Sequence, residues 1–183
     1  LSLRDEIVDL VDQQIDMAFR FGVLLDSRLS ARFIASHYQV LCAAPDYIAR
    51  NGAPASLADL AEHACIVYGA RPAAHWVFQV NGAPAAIKVQ GTCMASDGEA
   101  ALALALSGAG ILFKSIWDVG AHLESGHLVR VLPAISVPSA PLHAVFAHAQ
   151  QLAPRVRRFL DFALPRLQAS WRWELPPSAG DAA

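Results

Sequence analysis

The residues best able to do chemistry lie where a helix is predicted to begin. The tetrapeptide Ser96-Asp97-Gly98-Glu99 places a serine three residues before a glutamate, the spacing of a capping box, and a run of alanines and leucines follows it. A helix start carries backbone N–H groups without intrahelical partners and the positive end of the helix dipole. A small polar ligand is therefore predicted to bind against the helix start at Ser96-Asp97-Gly98.

Further candidates follow predicted strands. Lys114 and Ser115 come after the apolar run that ends at Phe113, so they are predicted at the carboxyl end of that strand. Arg20 follows an alternating pattern typical of a strand and is predicted to line a cleft mouth, where aromatic side chains would form apolar walls. The ligand-binding residues predicted from the sequence are Arg20, Phe21, Tyr68, Ser96, Asp97, Phe113, Lys114 and Ser115.

Catalysis and metal binding are the weaker interpretations. Cys93 and Ser96 lie near the helix start, but no G-x-S-x-G elbow or local base accompanies them, so Ser96 is interpreted as a helix cap. The seven histidines form no Cys/His cluster with zinc spacing, and His122 and His127, five apart, suit neither one helical face nor one strand face. The sequence predicts no catalytic residue, no metal site, no cofactor and hence no enzyme.

Composition favours a folded cytoplasmic protein. The 183 residues are 55% hydrophobic and 16% charged, and their apolar stretches are interrupted before the roughly 20 residues that a membrane helix needs. The first ten residues carry several charges, which is not typical of a signal peptide. A net charge of −2 argues against duplex DNA binding by this chain, and three isolated cysteines fit small buried residues in a reducing compartment.

The pattern of elements predicts the α/β class. Strand patterns alternate with helix patterns, which favours mainly parallel sheets. Asn81-Gly82 is typical of a hairpin turn, and Pro154 is predicted to open a helix that Pro165 would kink or end near Leu164.

Several segments also match one family in their order and spacing. They are Asp16–Gly22, Val40–Gly52, Ser96–Glu99, Ala105–Ile111, Trp117–Val119, Gly126–Pro133 and Leu152–Phe162. Together they resemble the effector-binding domain of LysR-type transcriptional regulators, with the D-L-A-I-R-x-G, A-L-A-G-x-G-I and G-x-L-V-x-V-L-P segments of that family. The resemblance covers about residues 1 to 167.

The resemblance implies a particular architecture. It implies two α/β lobes with mixed, mainly parallel sheets, similar to type II periplasmic binding proteins, with a cleft between the lobes. Residues 1–43 with 138–170 would form lobe I, residues 44–137 lobe II, and residues 171–183 a flexible tail. Two chain crossings near His37–Ala44 and Val137–Phe146 would form the hinge. The family's N-terminal winged helix-turn-helix, and the first strand and helix of lobe I, are expected to be absent from this chain.

The resemblance also implies a function. The chain would be the ligand-sensing regulatory domain of a LysR-type regulator, binding a small-molecule effector in the cleft, forming a homodimer or homotetramer, and contacting DNA only through the missing N-terminal domain. A solute-binding protein of a transport system is the alternative. The charge of the effector stays open, because a helix start and Arg20 favour an anion, whereas Asp97 favours an amine or a hydroxyl.

Overall fold

The computed structural model describes residues 10, 12–13, 15–22, 29–69, 73–80, 82–146 and 153–173. In chain order its strands are β1 (Ala18–Phe21), β2 (Ser30–Ala35), β3 (Gln39–Ala43), β4 (Cys65–Tyr68), β5 (Ala73–Val80), β6 (Ala83–Ala95), β7 (Ile111–Ser115), β8 (Val129–Arg130) and β9 (Leu142–Phe146). Its helices are α1 (Pro45–Asn51), α2 (Gly98–Leu106), α3 (Ile116–Glu124) and α4 (Pro154–Ser170), with a short 3-10 helix at Ala58–Ala61. The described residues up to His37 and from Ser139 onward form unit 1, and Tyr38–Pro138 form unit 2.

Unit 1 is built on an antiparallel sheet of three strands in the order β1-β9-β2. Alternation along β9 places Leu142, Ala144 and Phe146 in one core cluster with the buried stripe of α4. That stripe consists of Val156, Leu160 and Leu164, which are four residues apart and therefore lie on one face of the helix.

Pro165 was predicted to kink or end α4 near Leu164; the helix continues through Pro165 to Ser170, so it does not end there. A proline inside a helix costs about 3 kcal/mol because it removes a backbone N–H and crowds the preceding turn. Here Pro165 is exposed, while beyond it Leu167 and Trp171 pack against the same core cluster as Leu160 and Leu164. Burial of the apolar stripe outweighs the cost of the proline.

Unit 2 contains a mixed sheet of six strands in the order β5-β6-β4-β7-β3-β8. Strand β4 is parallel to β6 and β7, and the remaining pairs are antiparallel. The prediction of mainly parallel sheets was therefore wrong for the described strands, since two of their seven pairings are parallel. Parallel pairing needs a crossover, whereas only two residues separate β5 from β6; Asn81, the first residue of the predicted hairpin turn, lies outside the described residues.

Strand β3 differs from its predicted place. The sequence assigned residues up to 43 to the first lobe, but β3 pairs with β7 and β8 inside the sheet of unit 2. Its residues Val40 to Ala43 are all buried, and Leu41 and Ala43 belong to the core cluster of unit 2.

The core of unit 2 is aromatic and aliphatic. Phe78 is fully buried, and its ring centroid lies 5.1 Å from that of Phe113. Cys42 and Cys65 are buried, and burial raises the pKa of these thiols to about 12 and about 11, as expected for small apolar residues. Among the described residues, none of the helices has the length and hydropathy of a membrane-spanning segment.

Candidate ligand-binding site

The candidate site lies where three neighbouring strands of unit 2 end. Strands β6, β4 and β7 run parallel, so their carboxyl ends meet at one edge of the sheet. Strand β4 ends at Tyr68, which pairs in register with Ala95, the last residue of β6. Lys114 comes from the end of β7, and Ser96 follows β6 directly. The topology thus brings together side chains that are far apart in the sequence.

Lys114 is the buried charge of this edge. Its side chain is 11% exposed, and its ammonium Nζ lies 3.0 Å from Oδ2 of Asp118 on α3. On another side, Nζ lies 4.7 Å from the ring centroid of Tyr68. A carboxylate and an aromatic face are the two partners that best stabilise an ammonium removed from water.

The environment keeps Lys114 charged. Burial is the largest influence and opposes the charged form. The hydrogen bond to Asp118 and the Coulombic influence of Tyr68, Asp118 and Glu99 outweigh it, so the pKa of Lys114 is raised above 10.5. The edge therefore presents a cation at any physiological pH.

Gly98, the first residue of α2, lies directly against this ammonium. A Cβ atom built on Gly98 would collide with Nζ of Lys114. The tip of the lysine therefore occupies the space that a side chain at position 98 would need.

Helix α2 is capped by Asp97 and not by Ser96. The Oδ1 atom of Asp97 accepts hydrogen bonds from the N–H groups of Glu99 and Ala100, both at 2.9 Å. The hydroxyl of Ser96 donates to Oδ2 of the same carboxylate at 3.0 Å. The prediction of a capping box that starts at Ser96 was wrong by one residue, because Asp97 has the extended backbone of an N-cap.

This cap changes the electrostatics that the sequence suggested. Hydrogen bonds from the Ala100 N–H, the Ser96 hydroxyl and the Glu99 N–H, with a Coulombic contribution from Lys114, hold the pKa of Asp97 below 3.8. Two of the N–H groups expected to await a ligand are therefore already bound to a carboxylate. The cation available to a ligand at this edge is Lys114, not the helix start.

Two predicted residues next to Lys114 have other roles. The Ser115 hydroxyl accepts a hydrogen bond from the Trp117 N–H at 3.1 Å and caps α3. Phe113 is buried in the core against Trp76 and Phe78, because alternation along β7 turns it to the face opposite Lys114. The prediction that Phe113 forms a wall of the site was wrong.

The remaining two candidates belong to unit 1. Arg20 and Phe21 lie on β1, opposite His143 and Leu142 of β9. Phe21 is 55% exposed, and its ring centroid lies 4.3 Å from that of His37. Their participation in a ligand site remains a prediction.

Sequence reasoning missed one residue of this cluster and the contact made by another. Asp118 pairs with Lys114, yet the spacing of four residues is informative only inside one helix, and here it joins a strand to the next helix. Gly98 was predicted as part of the helix start that a ligand would contact, but no sequence signal indicates which side chain lies against it.

Two surface depressions lie elsewhere in unit 2, on either side of the segment from Val129 to Ile135. Their empty volumes are about 360 and 680 Å³, and none of the predicted ligand-binding residues lines them. Both depressions are lined mainly by aliphatic side chains and both include Arg130. The guanidinium of Arg130 donates a hydrogen bond to the Tyr38 hydroxyl at 3.0 Å. In the described part of the chain, no group of three or more His, Cys, Asp or Glu side chains has the arrangement of a metal site.

Residues 1–168 match the family described as the LysR substrate binding domain. The chain belongs to this family. The prediction of a ligand-sensing regulatory domain of a LysR-type regulator is thereby confirmed, as is the prediction that it is not an enzyme.

Named relatives agree with this assignment. The LysR domain is 38% identical over 163 residues to the HTH-type transcriptional regulator DmlR of Escherichia coli (strain K12), covering 88% of this chain and 53% of that protein. The structure of CrgA, a LysR-type transcriptional regulator from Neisseria meningitidis, has a TM-score of 0.74 and 32% identity, over 86% of this chain and 54% of that one. Full-length AphB, the Vibrio cholerae virulence activator, has a TM-score of 0.73 and 25% identity, over 88% and 55%. The chain spans about half the length of the curated relatives it matches.

Proposed function

We propose that this LysR domain binds its small-molecule effector at the edge formed by β6, β4 and β7. The observation that carries the proposal is the meeting of Tyr68, Asp97 and Lys114 at the carboxyl ends of three parallel strands. Open α/β sheets bind ligands at such edges. The site combines an aromatic face, a carboxylate and a buried ammonium, which together suit a small polar organic molecule.

The two units would serve as the two lobes of a binding-protein-like domain. An effector that binds one arrangement of the regulator better than another shifts the equilibrium between them by its difference in affinity. The cluster around Lys114 lies in unit 2, and Arg20 and Phe21 are predicted ligand-binding residues of unit 1. This extends the two-lobe prediction, with β3 assigned to unit 2.

DNA recognition would belong to another part of the regulator. Its relatives are named HTH-type regulators, and this chain spans about half their length. Its net charge of −2 is not that of a duplex-binding surface. We further propose that the whole protein works in the cytoplasm as a homodimer or homotetramer. The alternative of a transport solute-binding protein has less support, since the matching family and relatives are regulators.

The proposal is tested by a thermal-shift screen of small organic acids, amines, sugars and neutral aromatics. At least one compound should raise the melting temperature of the parent, and Tyr68→Ala should weaken the binding of that compound. His75→Ala, at a position on β5 outside the cluster, is the matched control and should respond as the parent does. A compound that stabilises the parent and the Tyr68 variant equally would show that it binds elsewhere.

DNA binding is tested separately by electrophoretic mobility shift at physiological salt. The isolated chain should not retard duplex DNA, whereas the protein that includes a helix-turn-helix segment should. Sequence-specific retardation by the isolated chain would contradict the division of roles proposed here.

A further inference from the structure

A single glycine determines where the buried ammonium lies. A Cβ on Gly98 would meet two atoms within 4 Å, and both belong to Lys114: Nζ, with which it would collide, and Cε at 3.3 Å. Apart from Asp97, Glu99 and the backbone of α2 itself, no other atom of the described residues lies within 4 Å of that position. The gap left by glycine is therefore filled by the tip of one lysine.

The backbone gives no reason for a glycine at this position. Gly98 is not among the glycines with positive φ, so other residues can adopt its conformation. Glycine is also a poor helix former, and Gly98 stands in the first turn of α2. The packing of Lys114 is what makes the absence of a side chain useful.

The seated ammonium retains hydrogen-bonding capacity. A lysine ammonium has three N–H donors. Within the described part of the chain, Asp118 is the oxygen partner of Lys114, and the ring of Tyr68 covers a second side. A donor is left for an oxygen of a ligand, and the low exposure of the side chain strengthens such a bond.

Three carboxylates act electrostatically on this ammonium. Asp97, Glu99 and Asp118 all interact electrostatically with Lys114. The Oδ2 atom of Asp97 accepts one hydrogen bond, from Ser96, so it can accept another from a ligand. The edge thus offers a cationic donor beside an anionic acceptor.

Building on the proposed function, we infer that Gly98 positions the Lys114 ammonium, and that this ammonium selects the effector. The ammonium binds a carboxylate of the effector, and Asp97 accepts a hydrogen bond from a hydroxyl or amino group of the same molecule. Gly98 acts as a positioning residue, and Asp118 holds the counter-charge. The effectors that fit are small carboxylic acids with a neighbouring hydroxyl or amine.

The positioning is tested first without a ligand, by amine labelling and mass spectrometry. The chain has two lysines, Lys88 and Lys114, so exposed Lys88 is an internal reference. In the parent, Lys114 should react more slowly than Lys88. In Gly98→Ala the ratio of the two rates should move toward one, because the methyl group displaces the ammonium. An unchanged ratio in a folded Gly98→Ala protein would contradict the claim that Gly98 positions the Lys114 ammonium.

Selection is tested with lactate, mandelate and serine, each compared with its own amide. At least one acid should raise the melting temperature more than its amide and protect Lys114, but not Lys88, from labelling. Hydroxy acids and serine distinguish a hydroxyl from an amine as the second group. Gly98→Ala and Lys114→Met should each lower the affinity for that acid by about 10- to 100-fold, the loss expected for one charge-assisted hydrogen bond.

The double variant separates positioning from a general structural role. Gly98→Ala combined with Lys114→Met should bind the acid no more weakly than Lys114→Met alone, because both changes remove one interaction. Lys88→Met should bind like the parent. Equal responses to acid and amide, with neutral compounds still binding, would overturn this inference and leave the sensing role intact. A complete lack of response to every compound would count against the ligand site itself.

Discussion

The two sheets of this domain handle polar residues differently. Between the described strands of unit 1 every pairing is antiparallel, so neighbouring strands end at opposite edges, and Arg20 lies on the edge strand β1 across from His143. In unit 2 three neighbouring strands run parallel and end together, which gathers Tyr68, Asp97 and Lys114 from distant parts of the sequence. Parallel topology concentrates chemistry at one edge, whereas antiparallel topology distributes it.

The units also differ in what they expose. Unit 1 leaves Phe19, Phe21 and Phe162 between 38% and 57% exposed, while in unit 2 the rings of Phe78 and Phe113 are buried together. Unit 2 thus combines an apolar core with a charged edge. Four substitutions sharpen this contrast, from the largest expected effect to the smallest.

Phe78→Ala should be the most destabilising. The side chain is fully buried and packs against Phe113, so its loss leaves a cavity and should cost about 3–5 kcal/mol in the free energy of unfolding. Val77→Ala, on the same strand at 38% exposure, is the control and should cost at most about 1 kcal/mol. Denaturant titration measures both, and similar losses would contradict the assignment of Phe78 to the core.

Gly110→Ala should cost about 1–3 kcal/mol. A Cβ there would collide with the carbonyl oxygen of Ala64, which accepts a hydrogen bond from the Ile111 N–H at 2.8 Å. Gly98→Ala is the matched comparison, because its new methyl group meets only the flexible tip of Lys114. Thermal unfolding should show a clear loss for Gly110→Ala and little change for Gly98→Ala. Equal losses would mean that Lys114 is held as rigidly as backbone.

Asp97→Asn should remove part of the acid sensitivity of the domain. Because the folded-state pKa of Asp97 lies below 3.8, its charge stabilises the fold above that pH, and the contribution is lost as pH falls through the lower folded value. The melting temperature of the parent should therefore drop more steeply than that of the variant below about pH 4. Asn still caps a helix, so the two should nearly coincide at neutral pH.

Asp59→Asn provides the comparison for that experiment. The pKa of Asp59 is also lowered, by the Ser56 hydroxyl and then by the Ala55 and Ser56 N–H groups, but this carboxyl is far from Lys114 in the sequence and binds the turn before the 3-10 helix. It should flatten the acid profile in the same direction. Identical profiles for parent and Asp97→Asn would contradict the role of Asp97 as the charged cap of α2.

Arg155→Ala should have the smallest effect. Its guanidinium lies 2.7 Å from Asp16 in unit 1, but the two side chains are 74% and 48% exposed. Exposed ion pairs of this kind contribute about 0.2–1 kcal/mol and weaken as salt rises. Repeating the denaturant titration at high salt should abolish the difference between variant and parent. A larger loss that is independent of salt would contradict a solvent-screened pair.

Local signals in the sequence determined much of the fold. The hydrophobic stripe of α4, the apolar run of β7, the helix start near residue 97 and the antiparallel pairing of β5 with β6 could all be predicted, because periodicity and turn chemistry act over a few residues. The order of such segments was also enough to indicate the LysR family. The continuation of α4 through Pro165 could not be predicted from the sequence, since burial against a distant sheet outweighed the local preference of proline against a helix interior.

Tertiary structure alone decided the makeup of the candidate site. The sequence predicted both Lys114 and Phe113 as ligand-binding residues. Because side chains alternate along β7, Lys114 lies at the charged edge and Phe113 lies in the core. The sequence nominated Ser96 as the cap, and backbone geometry gave that role to Asp97. It offered no sign that Gly98 would adjoin the ammonium of a residue sixteen positions later, because that contact exists only once β6 and β7 lie on either side of β4. Residue types fix which interactions are available, and strand order fixes which of them meet.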